Sequence, residues 1–181
     1  SGSIMATTFV KIGNTVTVGS GGTNSIDFTS IPSTYTDLQL LLSVRTATAT
    51  YQIDQIKLRF NANSSSAYAY KGALASSAGA TADNSAGTDY WWFGFAPRPQ
   101  ATANAFGNTS IYIPNYASSN YKPSLSESIA ASNGSGDYWY LKLSYGNFAA
   151  TVAINQITIY SGDAGGFSQY STATLYGIKN S

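Results

Sequence analysis

Between Asp37 and Thr46 the chain reads Asp-Leu-Gln-Leu-Leu-Leu-Ser-Val-Arg-Thr, and this phrase commits it to β structure. Leu38, Leu40, Leu42 and Val44 recur at every second position, with Gln39, Ser43 and Arg45 between them. Successive side chains of an extended strand point to opposite faces, so this spacing gathers the four apolar groups on one side. Residues 53 to 60 repeat the pattern, with Ile56, Leu58 and Phe60 expected inward and Lys57 and Arg59 outward.

Further β-prone runs follow, separated by Gly, Asn, Ser and Pro. Phe9 to Ile12 and Thr15 to Val18 flank Gly13-Asn14, a dipeptide that tolerates positive φ and predicts a hairpin. Ile26 and Phe28 alternate with polar residues up to Ile31-Pro32, where the strand should end. Strands are also expected over 67–74, 90–95, 108–113, 122–132, 138–145 and 171–178. Residues 151–160 should form another, with a bulge at Asn155-Gln156. Residues 76–88, rich in Ala, Gly and Ser, read as a long loop. Nothing has a helical period. The expected fold is all-β: a two-sheet antiparallel β-sandwich, jelly-roll-like, of about ten strands.

A length of 181 residues fits one domain, and no shift in composition marks a boundary. Folding at this size buries roughly 70% of the unfolded chain's surface, enough for a core without disulfides or metals. Residues 1–4 read as a cloning remnant, with Met5 the expected natural start and 5–181 the domain.

Only 9% of the residues are charged, against about 25% in an ordinary soluble domain. Hydroxyls, amides and phenols must therefore cover much of the surface. Such a surface repels its neighbours weakly and suits a protein packed among other copies. The net charge of +1 and the scattered lysines and arginines offer no basic face for nucleic acid. No apolar run approaches the roughly 20 residues that span a membrane.

The chain has neither His nor Cys. Ser-His-Asp and Cys-His constellations are therefore excluded, and a zinc site is hard to build. Paired carboxylates remain as a route to glycan cleavage. Asp27, Asp37, Asp83, Asp89, Asp137 and Asp163 fall in or beside predicted turns, where Asp caps backbone donors. Asp54 and the sole Glu, Glu127, fall on predicted strands; for Glu127 a solvated strand-face charge is the favoured reading over a catalytic one. Asp163-Ala164-Gly165-Gly166 and Asp83-Asn84 carry too few carboxylates for calcium. Gly19-Ser20-Gly21-Gly22 lacks the Lys-Ser/Thr of a phosphate loop. No catalytic residue, metal or cofactor is expected.

The positive signal is aromatic: 14 Tyr, 8 Phe and 3 Trp. Tyr90-Trp91-Trp92-Phe93 and Tyr138-Trp139-Tyr140 form dense clusters. Strand alternation must bury about half of these rings and expose the rest. An exposed Tyr or Trp offers a large rigid face with a polar tip, suited to sugars and protein interfaces alike. Tyr90, Trp91, Trp92, Tyr138, Trp139 and Tyr140 are the candidate ligand-binding residues.

Several phrases together resemble a known group. They are Asn24-Ser-Ile-Asp-Phe-Thr-Ser-Ile-Pro32, Tyr35-Thr-Asp-Leu-Gln-Leu40, Ile56-Lys-Leu-Arg-Phe-Asn61, Phe106-Gly-Asn-Thr-Ser-Ile-Tyr-Ile-Pro-Asn115 and Ser171-Thr-Ala-Thr-Leu-Tyr-Gly-Ile178. From about Phe9 to Ile178 the chain resembles small β-rich virion structural proteins of tailed bacteriophages. The resemblance implies a non-enzymatic virion surface component: a head fibre, a capsid decoration, or a tail-fibre receptor-binding domain. It implies a homo-oligomer, trimeric by preference, with other virion proteins and a host surface glycan as partners. It carries no site residue position by position. The competing readings are a carbohydrate-binding module of a cellular protein and an acid-dependent glycan-cleaving enzyme.

Overall fold

The computed structural model describes residues 8–48, 51–134 and 138–179. The proposed remnant at 1–4, the start at Met5 and Asp137 lie outside them. The described chain is all-β, with 13 strands in two antiparallel sheets, a β-sandwich. In chain order these are β1 (Phe9–Lys11), β2 (Val16–Thr17), β3 (Ser25–Phe28), β4 (Asp37–Val44), β5 (Ile53–Phe60), β6 (Tyr68–Ser76), β7 (Gly79–Thr88), β8 (Trp91–Pro97), β9 (Gly107–Ile113), β10 (Lys122–Ala131), β11 (Trp139–Phe148), β12 (Ile157–Ser161) and β13 (Thr172–Ile178). The large sheet runs β1-β13-β4-β9-β10-β11-β6-β7, with β2 also on β13; the small sheet runs β3-β12-β5-β8.

The period-two strands behave as expected. Leu38, Leu40, Leu42 and Val44 are buried, and so are Ile56, Leu58 and Phe60. They meet Ile26, Ile157 and Ile159 from β3 and β12 in one core cluster.

Three expectations are corrected. The Gly13-Asn14 hairpin does not form: β1 and β2 do not pair with each other but lie end to end along β13, Phe9 opposite Ile178 and Val16 opposite Ala173. Gly13 takes φ +66° in the excursion between them. A turn-prone dipeptide permits a hairpin, but here β13 supplies a partner for both flanks. Residues 76–88 are not a long loop. Gly79–Thr88 is β7, paired with β6 along its length. Its Ala, Ser and Gly side chains carry little strand preference, so the backbone ladder to β6 decides the conformation. Third, residues 151–156 are not strand; only Ile157–Ser161 pairs. Asn61 Oδ1 accepts the backbone N–H of both Asn155 and Gln156, and these bonds replace a ladder there. Asp83 accordingly lies within β7 rather than in a loop, while Asp27 and Asp37 fall on the expected strands, in β3 and at the start of β4.

The two sheets meet over β10 and β11 in an unusual way. Most inward side chains of these strands are polar: Lys122, Ser124, Ser126, Ser128, Lys142 and Ser144 are buried, alongside Ala130 and Phe148. Facing them is β8, the edge strand of the small sheet. The Ser126 hydroxyl donates to the Phe93 carbonyl (2.7 Å), and Ser128 Oγ accepts the Phe95 N–H (3.0 Å). Trp91 Nε1 donates to Ser144 Oγ (3.0 Å). The free edge of β8 is therefore satisfied by side chains of the opposite sheet rather than by another strand. This is one way to close an edge that would otherwise invite pairing. Small side chains let the aromatic strand approach, and Trp91 lies directly over Gly146. A methyl group at Gly146 would overlap the Trp91 ring. Gly146→Ala is expected to cost about 1–3 kcal/mol of stability through overpacking, read as a shift in the urea midpoint.

Candidate functional site

Because β10 and β11 turn serines inward, alternation turns their large apolar residues outward. Leu125, Ile129, Leu141, Leu143 and Tyr145 are between 44% and 50% exposed. The ladder places them side by side: Leu125 is opposite both Tyr112 and Tyr145, and Ile129 is opposite Leu141. Leu41 of β4 extends the patch beyond β9. Ala73 and Ala82 continue it across β6 and β7, where a shallow groove of about 510 Å³ runs beside Leu125, Leu143 and Tyr145. Glu127 stands in this field, next to Leu143 in the ladder, and Lys71 stands next to Tyr145. Glu127 is thus an outward strand-face charge. Its ladder neighbours, Ser110 and Leu143, carry no carboxylate.

The aromatic candidates are distributed among three environments. Trp91 is 1% exposed and belongs to the core, which removes it from the set available to a ligand. Alternation turns Trp91 and Phe93 of that cluster inward together, and Gly146 and Ser144 make the space for Trp91. Tyr90 and Trp92 are half-buried and pack around Tyr70, with ring centroids at 6.4 and 6.2 Å. Trp139 is on the outward side of β11. Only Tyr138 and Tyr140 line a cleft together, and there they meet Tyr51.

That cleft has two adjoining lobes of about 300 and 380 Å³, which share Tyr51, Ile53 and Tyr140. Gln52, Gln100 and Tyr138 complete the first; Asp54, Gln55, Lys57, Phe95, Arg98 and Asp163 contribute to the second. Tyr140 stacks on Phe95 with centroids 4.5 Å apart. Beneath the second lobe Arg98 Nη2 donates to Asp54 Oδ1 (2.8 Å) and to Asp163 Oδ2 (2.5 Å). The Asp54 side chain is buried, whereas that of Asp163 is half exposed. Burial pushes the Asp54 carboxyl above its usual range, against the opposing pull of Arg98. The two acids share one guanidinium, and only Asp163 reaches the cleft surface. Sequence reasoning did not single out Tyr51 or Arg98, which belong to no motif, and weighed Asp163 only as a turn residue and a poor calcium ligand.

A second buried cation lies behind Trp92. Lys142 Nζ bonds Asp83 (2.7 Å) and sits 3.4 Å from the Trp92 ring centroid, with Tyr70 on its other side at 5.4 Å. Desolvation lowers its pKa to about 8, partly offset by Asp83. Among the described residues no group of three or more acidic, His or Cys side chains could hold a metal ion.

No protein-family model matches the chain, and no curated protein matches it either.

The Lys142 shift has a pH signature. Between about 8 and 10.5 the unfolded chain holds the Lys142 proton and the folded chain does not, so stability rises with pH there. Tyr68 and Tyr160, pushed up to about 12 by burial, oppose this above their ordinary 10. Urea unfolding is therefore expected to gain about 2 kcal/mol from pH ~8 to ~10, and Lys142→Met should flatten that rise.

Proposed function

We propose that this is a non-enzymatic structural protein that acts by packing against copies of itself on a bacteriophage virion surface, as a head fibre, capsid decoration or tail-fibre domain. The observation that carries the assembly reading is the apolar outer face of β9, β10 and β11. Leaving six or more large apolar side chains half exposed on one contiguous patch is rare in a free monomer. The virion reading rests on the phrase resemblance and on the charge-poor composition.

The occupant that best fits this face is a second copy of the chain. Glu127 and Lys71 are two strands and two residues apart on the face, about 12 Å by strand spacing and rise. Among the described residues neither has an ion-pair partner. A two-fold axis passing near β11 would set each Glu127 against the other copy's Lys71 and bury Leu143 and Tyr145 between the copies. Such a contact is isologous: both charge pairs form at once. The sheet's eight-strand path, with central strands of 7 to 10 residues, offers on the order of 900 Å². A stable interface needs about 800 Å² per partner. The face thus fits a two-fold pair more directly than the trimer implied by the resemblance. Repetition on a particle would then add weak single contacts into strong attachment.

Sedimentation equilibrium tests this. The wild-type chain should self-associate, and Leu143→Asp should yield a monomer with an unchanged melting temperature, because Leu143 is already half exposed. Glu127→Lys alone should weaken association, and adding Lys71→Glu should restore it. A wild-type chain that stays monomeric at high concentration would refute the proposal.

A further inference from the structure

We infer that the cleft walled by Tyr51, Tyr138 and Tyr140 is a binding site for an uncharged saccharide. Three features carry this. First, its walls are exposed aromatic rings: Tyr51 is 67% and Tyr138 46% exposed. A sugar's C–H face packs on such rings, and phenol hydroxyls remain free to bond its edges. Second, the exposed Gln55 lines the second lobe with an amide, a group that both donates and accepts. Hydroxyls need that mixture. Third, the floor holds one carboxylate in place. Asp163 is half exposed, and its Oδ2 is tied to an Arg98 side chain that is only 5% exposed and is itself anchored on buried Asp54. The remaining Asp163 oxygen is available to accept a pair of sugar hydroxyls.

Charge identifies the ligand class. Lys57 and Arg98 balance Asp54 and Asp163, so the second lobe has no net formal charge. Lys57 Nζ is also engaged over the Tyr90 ring, at 4.1 Å from its centroid. A phosphate or carboxylate would meet the Asp163 carboxylate while Arg98 is already paired with Asp54 and Asp163, whereas a neutral sugar meets no such repulsion. Volume agrees, since the lobes fall at the lower end of the range for small-ligand sites. Arg98 Nε and Nη1 are sealed without hydrogen-bond partners beneath the lobe. A fold seldom leaves donors of a buried arginine unmet. Burying an Asp-Arg-Asp triad costs stability that an apolar cluster would not. The triad is therefore better explained by positioning Asp163 than by holding the fold together.

The Tyr140 side chain shares the inward parity of β11 with Lys142, while Leu141 and Leu143 face outward. The cleft and the assembly face are thus on opposite sides of one strand, and either reading can fail alone.

The experiment is an ¹H–¹⁵N correlation titration of the full chain. The probes are the methyl glycosides of glucose, galactose, mannose and N-acetylglucosamine, maltotriose, and sialyllactose as the charged comparison. At least one neutral sugar should shift the amides of Tyr51, Tyr138, Tyr140 and Gln100 in a saturable way. Tyr51→Ala, at an exposed position whose ring lies over the Arg98 guanidinium, should weaken that binding about tenfold with the folded spectrum preserved. Asp163→Asn should do the same with the folded spectrum preserved. The inference is overturned if no neutral probe shifts the cleft, if Tyr51→Ala binds as tightly as the wild type, or if sialyllactose binds more tightly than every neutral sugar.

Discussion

The structure depends on how the edge of β8 is satisfied. A sandwich sheet normally ends its hydrogen bonding in solvent or in a covering loop. Here Phe93 C=O and Phe95 N–H bond to Ser126 and Ser128 of the sheet opposite. A net hydrogen bond is worth only about 1 kcal/mol, but an unmet buried carbonyl or amide costs more than that. The serines are therefore required once Trp91, Phe93 and Phe95 are buried. Their small size matters as much as their hydroxyls, because Trp91 fits only over Gly146 and beside Ser144.

The consequence appears on the other side of the same strands. A strand has two faces and one alternation. With serines and lysines turned in, Leu125, Ile129, Leu141 and Leu143 have nowhere to go but out. A free protein would ordinarily separate these groups with charges. This one puts a single glutamate among them and takes only 9% of its residues from the charged set. The apolar area left outside the core is what the proposed contact between copies would bury, with the scarce charges setting the pairing.

The cleft uses the same alternation for a different purpose. Tyr140 stacks on Phe95, so the ring that borders the cleft is continuous with the aromatic packing around β8. Arg98 comes at the end of β8, where Pro97 closes the strand, and Asp54 comes from the adjoining β5. Of the cleft's aromatic wall and ionic floor, Tyr140 on β11 and Asp54 on β5 are strand residues, whereas Tyr51, Tyr138, Arg98 and Asp163 lie on the segments that join strands.

Much of the fold was legible in the residues. Period-two spacing at Leu38–Val44 and at Ile56–Phe60 marks strands because alternation needs only local geometry. The absence of His and Cys removes whole classes of chemistry without any fold. Other decisions could not be made locally. Gly13-Asn14 permits a hairpin, but β13 decides that none forms; residues 79–88 look like loop, but β6 makes them strand. The parity of β10 and β11 was equally hidden. Alternation shows that Ser126 and Leu125 face opposite ways, but it does not say which way is in. Burial of Leu would be the default, and the partner sheet reverses it, because an aromatic edge strand needs small hydroxyl groups beneath it. Tyr51, Arg98 and Asp163 are brought together only by folding. Local sequence determined where the chain extends; long-range packing alone determined which face of each strand meets solvent.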